Sequence, residues 1–239
     1  MEKKGMKIFK KLILYVLCLA LVSGIAWAVS PNILNEDCAD ISDWTDGDNG
    51  SNSSLVSPAG QFQFVIVVPT GGGKAQRYRV ITSPPSKFTV EIRTYFSSLG
   101  AMEFTDHFSL TYSTGTWCFR ALFGVDGLFI TKTGAVNVEV GTNIVKESGT
   151  AAWQTWRFQV DKSAGEAAAT VEVFLKEEGG AWVSRGVFDC DWEVAQVNGT
   201  IALTQYGTLA NSLSYVDHVK VAIGLGEIGN IGNQPILIF

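Results

Sequence analysis

Histidine and cysteine are scarce in this chain, with two and four copies in 239 residues. No Cys-x-x-Cys or His-x-x-x-His spacing occurs, which removes the usual zinc sites. Basic residues are also short: 18 Lys and Arg stand against 23 Asp and Glu. Five of those basic residues and only one acid lie in the first 28 positions, leaving 13 basic and 22 acidic side chains beyond them, a net charge of −9. No basic patch is available for nucleic acid or an anionic membrane surface. Past residue 28 there is no second apolar run long enough to span a bilayer, no amphipathic helical period and no internal repeat.

The first 28 residues are of another kind. Lys3, Lys4, Lys7, Lys10 and Lys11 precede an apolar run from Leu12 to Ala28 that ends Ala26-Trp27-Ala28. A basic start, an apolar middle and small residues at −3 and −1 make a cleavable secretory signal peptide over residues 1–28. The competing reading is an uncleaved anchor, since 17 apolar residues are near the lower limit for spanning. Cys18 does not mark a lipoprotein, because Val16-Leu17 precede it where a small residue belongs. Cleavage leaves 211 residues, enough for one core. The expected location is secreted, periplasmic or cell-surface, with no membrane contact after cleavage. Cys38, Cys118 and Cys190 remain; export permits a disulfide, an odd number leaves a thiol over, and spacing does not fix a pairing. The alternative is that all three are small buried apolar residues.

Residues 45–60 form a loop by composition. Strand patterns then dominate. Phe88, Val90, Ile92, Thr94 and Phe96 share one face, and Thr89, Glu91, Arg93 and Tyr95 the other. This period of two belongs to a half-buried strand. Phe108, Leu110 and Tyr112 repeat it, as do Trp117, Phe119, Ala121 and Phe123. Residues 75–81 also alternate, with Arg77 and Arg79 on one side and Gln76, Tyr78 and Val80 on the other. Asp126-Gly127 predicts a two-residue hairpin. Trp156, Phe158 and Val160 face inward, followed by Val171, Val173 and Leu175, the AWVSRGVF strand, and Ser214–Ile223. About a dozen strands with turns every ten residues predict a sandwich or barrel. Residues 225–239 form a Gly-rich, then apolar tail.

Three stretches resemble one superfamily: NEDCADISDWT resembles a first strand ending in Trp, WQTWRFQVDKSAGEAAATVEVFLKEEGGAW a central strand-turn-strand unit, and NSLSYVDHVKVAIG a closing strand that pairs near the first. The likeness is to concanavalin A-like (laminin G-like) jelly rolls and spans about residues 35–224. It implies an all-β, two-sheet antiparallel jelly-roll sandwich over residues 29–224. Such domains serve as lectins, carbohydrate-binding and adhesion modules, glycoside hydrolases and polysaccharide lyases, so the fold does not choose a function. The expected role is a non-catalytic, lectin-like module whose partner is a polysaccharide or glycan.

For that role the polar strand faces supply Arg93, Tyr95, His107 and Arg120, which share one concave surface if their strands adjoin. An aromatic ring stacks on a sugar's apolar face and guanidinium groups donate to its hydroxyls; the plain alternative is the wet side of a sheet. Trp44, Trp117, Trp153, Trp156 and Trp182 are assigned to core or edge packing. The runner-up is a glycoside hydrolase, because Asp189-Cys190-Asp191-Trp192-Glu193 has the spacing of the family's Glu-x-Asp-x-Glu, with Asp189 in place of the first Glu. For hydrolysis, Asp189, Asp191 and Glu193 must stand side by side on the concave sheet. The Gln-x-His and Tyr-x-Lys-x-Gly patterns of alginate lyases are missing. A third reading is a structural or adhesive envelope or matrix protein. Finally, the resemblance implies a structural calcium where first and last strands meet, with Asp37 and Asp217 as candidates. Asp40, Asp43, Asp46 and Asp48 cluster nearby, without the spacing of an EF-hand.

Overall fold

The structure is a computed structural model and describes residues 32–49, 52–67, 73–82, 86–97, 108–113, 117–132, 136–146, 153–190, 198–207 and 212–226. Residues 1–28, read from sequence as a signal peptide, and most of the tail therefore lie outside the described residues. In chain order the strands are β1 (Asn32–Glu36), β2 (Thr45–Asp46), β3 (Ser53–Val56), β4 (Phe62–Ile66), β5 (Gly73–Thr82), β6 (Lys87–Phe96), β7 (Phe108–Ser113) and β8 (Trp117–Gly124). They continue as β9 (Gly127–Lys132), β10 (Val136–Thr142), β11 (Gln154–Asp161), β12 (Thr170–Glu177), β13 (Val183–Asp189), β14 (Asn198–Gly207) and β15 (Ser212–Ile223). Among the described residues one 3-10 turn, Glu166–Ala168, interrupts them.

Two antiparallel sheets result, and they do not close into a barrel. One runs β13-β12-β11-β6-β15-β4-β3, with β1 also on β15; the other runs β10-β9-β8-β7-β14-β5-β2. The alternation predicted a sandwich or barrel, and the sandwich is the one observed, in the two-sheet jelly-roll form that the family resemblance implied. The first described strand pairs with the last, Glu36 lying opposite Val219.

The inward faces match the sequence pattern closely. Phe88, Val90, Ile92, Thr94 and Phe96 are all essentially inaccessible, as are Phe108, Leu110, Tyr112, Phe119, Ala121 and Phe123. Rings meet across the sheets: Phe88 on Tyr112 at 5.2 Å, Phe119 on Phe158 at 5.0 Å, and Phe123 on Trp156 at 5.5 Å. The first and third pairs are edge-to-face and the second is tilted; aromatic pairs of this kind add about 0.5–1.5 kcal/mol each beyond burial.

Register settles which face of β5 is buried and shifts one turn. In β5 the arginine face points to the interior, since Arg79 lies opposite Ile201 and Arg77 opposite Leu203. At this margin of the sandwich the arginines join the sheets. Arg79 reaches Glu36 at 3.2 Å and Asp43 at 2.9 Å, and Arg77 donates to the Ser54 carbonyl at 2.6 Å. Glu36 also accepts from the Trp44 indole at 3.0 Å and the Cys38 amide at 2.9 Å. The β8–β9 hairpin forms one residue earlier than read, with Val125 and Asp126 in the turn. Gly127 begins β9 instead. Its φ is +152°, and a Cβ there would stand 2.3 Å from the Gly141 carbonyl oxygen, so the glycine serves the β10 contact.

Candidate functional site

Strand β6 lies between β11 and β15 in the middle of the larger sheet, and register decides which outward side chains meet there. Glu91 is opposite Arg157 and Lys220, while Arg93 is opposite Thr155 and His218. Directly opposed residues share a face, so these six polar groups stand together on the sheet's outer surface. A β-bulge in β15 adds a seventh. Register shifts between Val216 and His218, and the extra residue, Asp217, contacts the Arg93 guanidinium.

The pairing is dense. Arg157 Nε and Nη2 donate to Glu91 Oε2 at 3.2 and 3.1 Å, with both side chains buried. His218 Nε2 lies 3.3 Å from Glu91 Oε1, within ion-pair range but without hydrogen-bonded geometry. Burial alone would raise the Glu91 carboxyl; the His218 contact and the Arg157 guanidinium more than offset it and hold Glu91 below the usual carboxylate range. Arg93 Nη2 also donates to Glu178 at 3.2 Å.

Two indoles complete the arrangement. Trp153 immediately precedes β11, and the Arg93 guanidinium carbon sits 4.7 Å from its ring centroid. Trp182 immediately precedes β13, and Arg157 sits 3.9 Å from its ring. Both distances are within cation–π range. Tyr95 packs against Trp153 at 5.6 Å. Trp153 and Trp182 help line a depression of about 380 Å³, with Glu91, Arg93, Asp217 and His218 among its other walls. That volume suits a small ligand or a short segment of a polymer. The surface offers half-buried aromatic rings beside fixed hydrogen-bonding groups. A general acid needs a carboxyl raised toward neutrality, whereas Glu91 is displaced the other way.

Of the four residues assigned from sequence to a glycan surface, Arg93 and Tyr95 lie here. Arg120 does not: β8 belongs to the other sheet, so Arg120 and Arg93 stand on opposite exteriors of the sandwich. Burial lowers the Arg120 pKa, against the opposing influence of Tyr206. His107 lies outside the described residues. Trp44 and Trp156 are core residues as read, but Trp153 and Trp182 flank the depression. Sequence reading placed Glu91 on the polar face and passed over Arg157 and His218. Their only local signal was polarity on alternate positions; the pairing of strands far apart in sequence was not visible.

Of the carboxylate run, Asp189 falls at a margin of the sandwich. Asp189 ends β13, the outermost strand of its sheet, and pairs with Lys132 at 3.1 Å. Asp191 and Glu193 lie outside the described residues. Each of the two calcium candidates has a partner within the protein. Asp217 is engaged by Arg93, and Asp37 accepts the Ala39 amide at 3.1 Å. The early acids are spent in the same way: Asp40 on Ser42, Asp43 on Arg79, Asp46 on Arg77, and Asp48 on Ser54 and Gln76. Among the described residues no group of three or more acidic, His or Cys side chains is disposed to hold a metal. Cys38 and Cys190 are buried thiols, and burial, then the charges of Glu36, Asp217 and Asp37, pushes the Cys38 thiol far up. The Cys118 side chain lies outside those described.

No family model and no curated protein matches the sequence. Solved structures match the fold. Lectin I-B4 from Griffonia simplicifolia, solved in a metal-free form, has a TM-score of 0.55 at 12% identity, covering 82% of this chain and 99% of its own. A marine alginate lyase from Aplysia kurodai gives 0.56 at 10% identity, covering 81% and 100%. A carbohydrate esterase from Shiga toxin-encoding bacteriophage phi24B gives 0.52 at 10% identity, covering 82% and 100%. The architecture is the concanavalin A-like jelly roll that the sequence resemblance implied.

Proposed function

We propose that this concanavalin A-like jelly roll is an exported, non-catalytic carbohydrate-binding module that holds its glycan on the outer face of the larger sheet, against Trp153 and Trp182. One observation carries the reading: two half-buried indoles, each backed by a guanidinium, flank a polar depression. A pyranose has an apolar face that stacks on an aromatic ring and an equatorial belt of hydroxyls. Fixed charged side chains bind hydroxyls more strongly than neutral ones do. The arginines keep each indole in place before the sugar arrives, which lowers the ordering cost of binding. The fold neighbours supply context: by name they are a lectin, a lyase and an esterase of carbohydrates.

A glycan array probed with the mature protein and with Trp182→Ala tests this reading. Binding to at least one glycan, lost in the variant without change in the circular dichroism spectrum, is the expected result. Equal binding by the variant would move the site elsewhere. Release of reducing ends or of unsaturated products from any bound glycan would make the protein an enzyme.

A further inference from the structure

Resting on that reading, we infer that the glycan carries an anionic group, a uronate or a sulfate, and that Lys176 binds it beside Trp182. The first ground is the pairing of charges around the depression. Each of its carboxylates already has a cation. Glu91 has Arg157 at 3.1 Å, Glu177 has Lys146 at 2.8 Å, and Glu178 and Asp217 share Arg93. Lys176 lines the same depression. Among the described residues no carboxylate stands within ion-pair distance of it, and its contact is with Trp182, whose ring centroid lies 5.9 Å from Nζ. The two indoles therefore differ. At Trp153 two carboxylates share one guanidinium, which leaves a negative charge there. At Trp182 Arg157 is neutralised by Glu91, and Lys176 is left over as a positive charge. An anion is favoured at the second indole and opposed at the first.

The second ground is position. Lys176 on β12 opposes Thr155 on β11, which in turn opposes Arg93 on β6, so all three stand on the outward face. Arg157 is buried and committed to Glu91; its work is to hold the indole. Lys176 is half-buried and can be reached by a ligand. An equatorial carboxylate or sulfate lies at the rim of a pyranose, so a sugar stacked on Trp182 carries that group to the edge of the indole, where the ammonium stands. Three N–H donors on a flexible stem can meet it there, and such charge-assisted bonds are the stronger kind. The sequence as a whole carries −5 and slows the approach of a polyanion. At physiological salt that long-range effect is screened beyond about 8 Å, so the contact at Lys176 decides retention.

Isothermal titration of the mature protein with an alginate oligosaccharide, the same oligosaccharide fully methyl-esterified, a carrageenan oligosaccharide and a neutral β-glucan oligosaccharide tests the inference. Alginate or carrageenan should bind, the preference between them telling carboxylate from sulfate, and affinity should fall as NaCl is raised. Lys176→Gln should weaken that ligand about tenfold, the loss of one charge-assisted contact, while Lys176→Arg keeps most of the affinity and Trp182→Ala removes it. Where alginate is the ligand, methyl esterification should cost the same factor, and Lys176→Gln should then cost nothing more. Binding that needs Trp182 but is unchanged by Lys176→Gln would overturn the anionic class while leaving the site standing, and so would Trp182-dependent binding of the β-glucan alone. Glycan binding indifferent to Trp182→Ala, or failure of every glycan to bind, would overturn the site and this inference with it.

Discussion

Asp217 meets Arg93 because it is the extra residue of a β-bulge. Without the register shift between Val216 and His218, alternation would leave one side chain, not two, on the outer face at that point of β15. Bulges are found where a strand must re-aim a side chain. Here the bulge supplies the carboxylate that fixes the guanidinium under Trp153. Asp217→Asn should lower stability by only about 0.5–1 kcal/mol, since both groups are partly solvated, yet weaken glycan binding through a looser Arg93. Urea unfolding and titration calorimetry, run together, would separate the two effects.

Glu91 and Arg157 form the buried pair beneath Trp182. Glu91→Ala leaves a guanidinium buried without its partner and should cost about 3 kcal/mol. Replacing both residues with methionine removes the stranded charge and should recover most of that loss. A double-mutant cycle by chemical denaturation checks the difference.

Acid should destabilise the fold through two carboxylates. Glu91 is held below its ordinary value of 4.5. Asp161 is held at about 2, against an ordinary 3.8, by the Lys87 ammonium at 2.7 Å and by Ser163. For a depressed pKa the unfolded chain takes up the proton first. The stabilisation is therefore complete above the ordinary values and is lost as pH falls through the folded ones. Melting temperature should hold steady from pH 7 to 5 and decline below about 4.5. Glu91→Gln should flatten the upper part of that decline and Asp161→Asn the part nearest pH 2.

Gly127→Ala tests the close approach of β9 to β10. A Cβ would meet the Gly141 carbonyl oxygen at 2.3 Å, at a φ of +152°. The contact is with backbone, so relief needs strand movement, and a loss of about 2 kcal/mol or more is expected. An unchanged melting temperature would contradict it.

Export is checked chemically. N-terminal sequencing of the protein recovered outside the cytoplasm should begin at Val29; an intact Met1 on a membrane-bound product would favour the anchor.

The sequence by itself determined the layered β architecture, because side-chain alternation is a local property. Phe88 to Phe96 and Phe119 to Phe123 announced their buried faces without reference to any partner strand. It also marked Arg93 and Tyr95 as outward-facing, for the same reason. What it did not carry was adjacency. Whether Arg93 neighbours Arg120 or Arg157 depends on strand order, and the sheets pair residues as far apart in sequence as Asn32 of β1 and Ala222 of β15. The bulge at Asp217 and the interior placement of Arg77 and Arg79 likewise follow from register against a partner. Tertiary structure alone decided them, because one residue of slip reverses every side chain and only the packed core selects the slip that buries the phenylalanines.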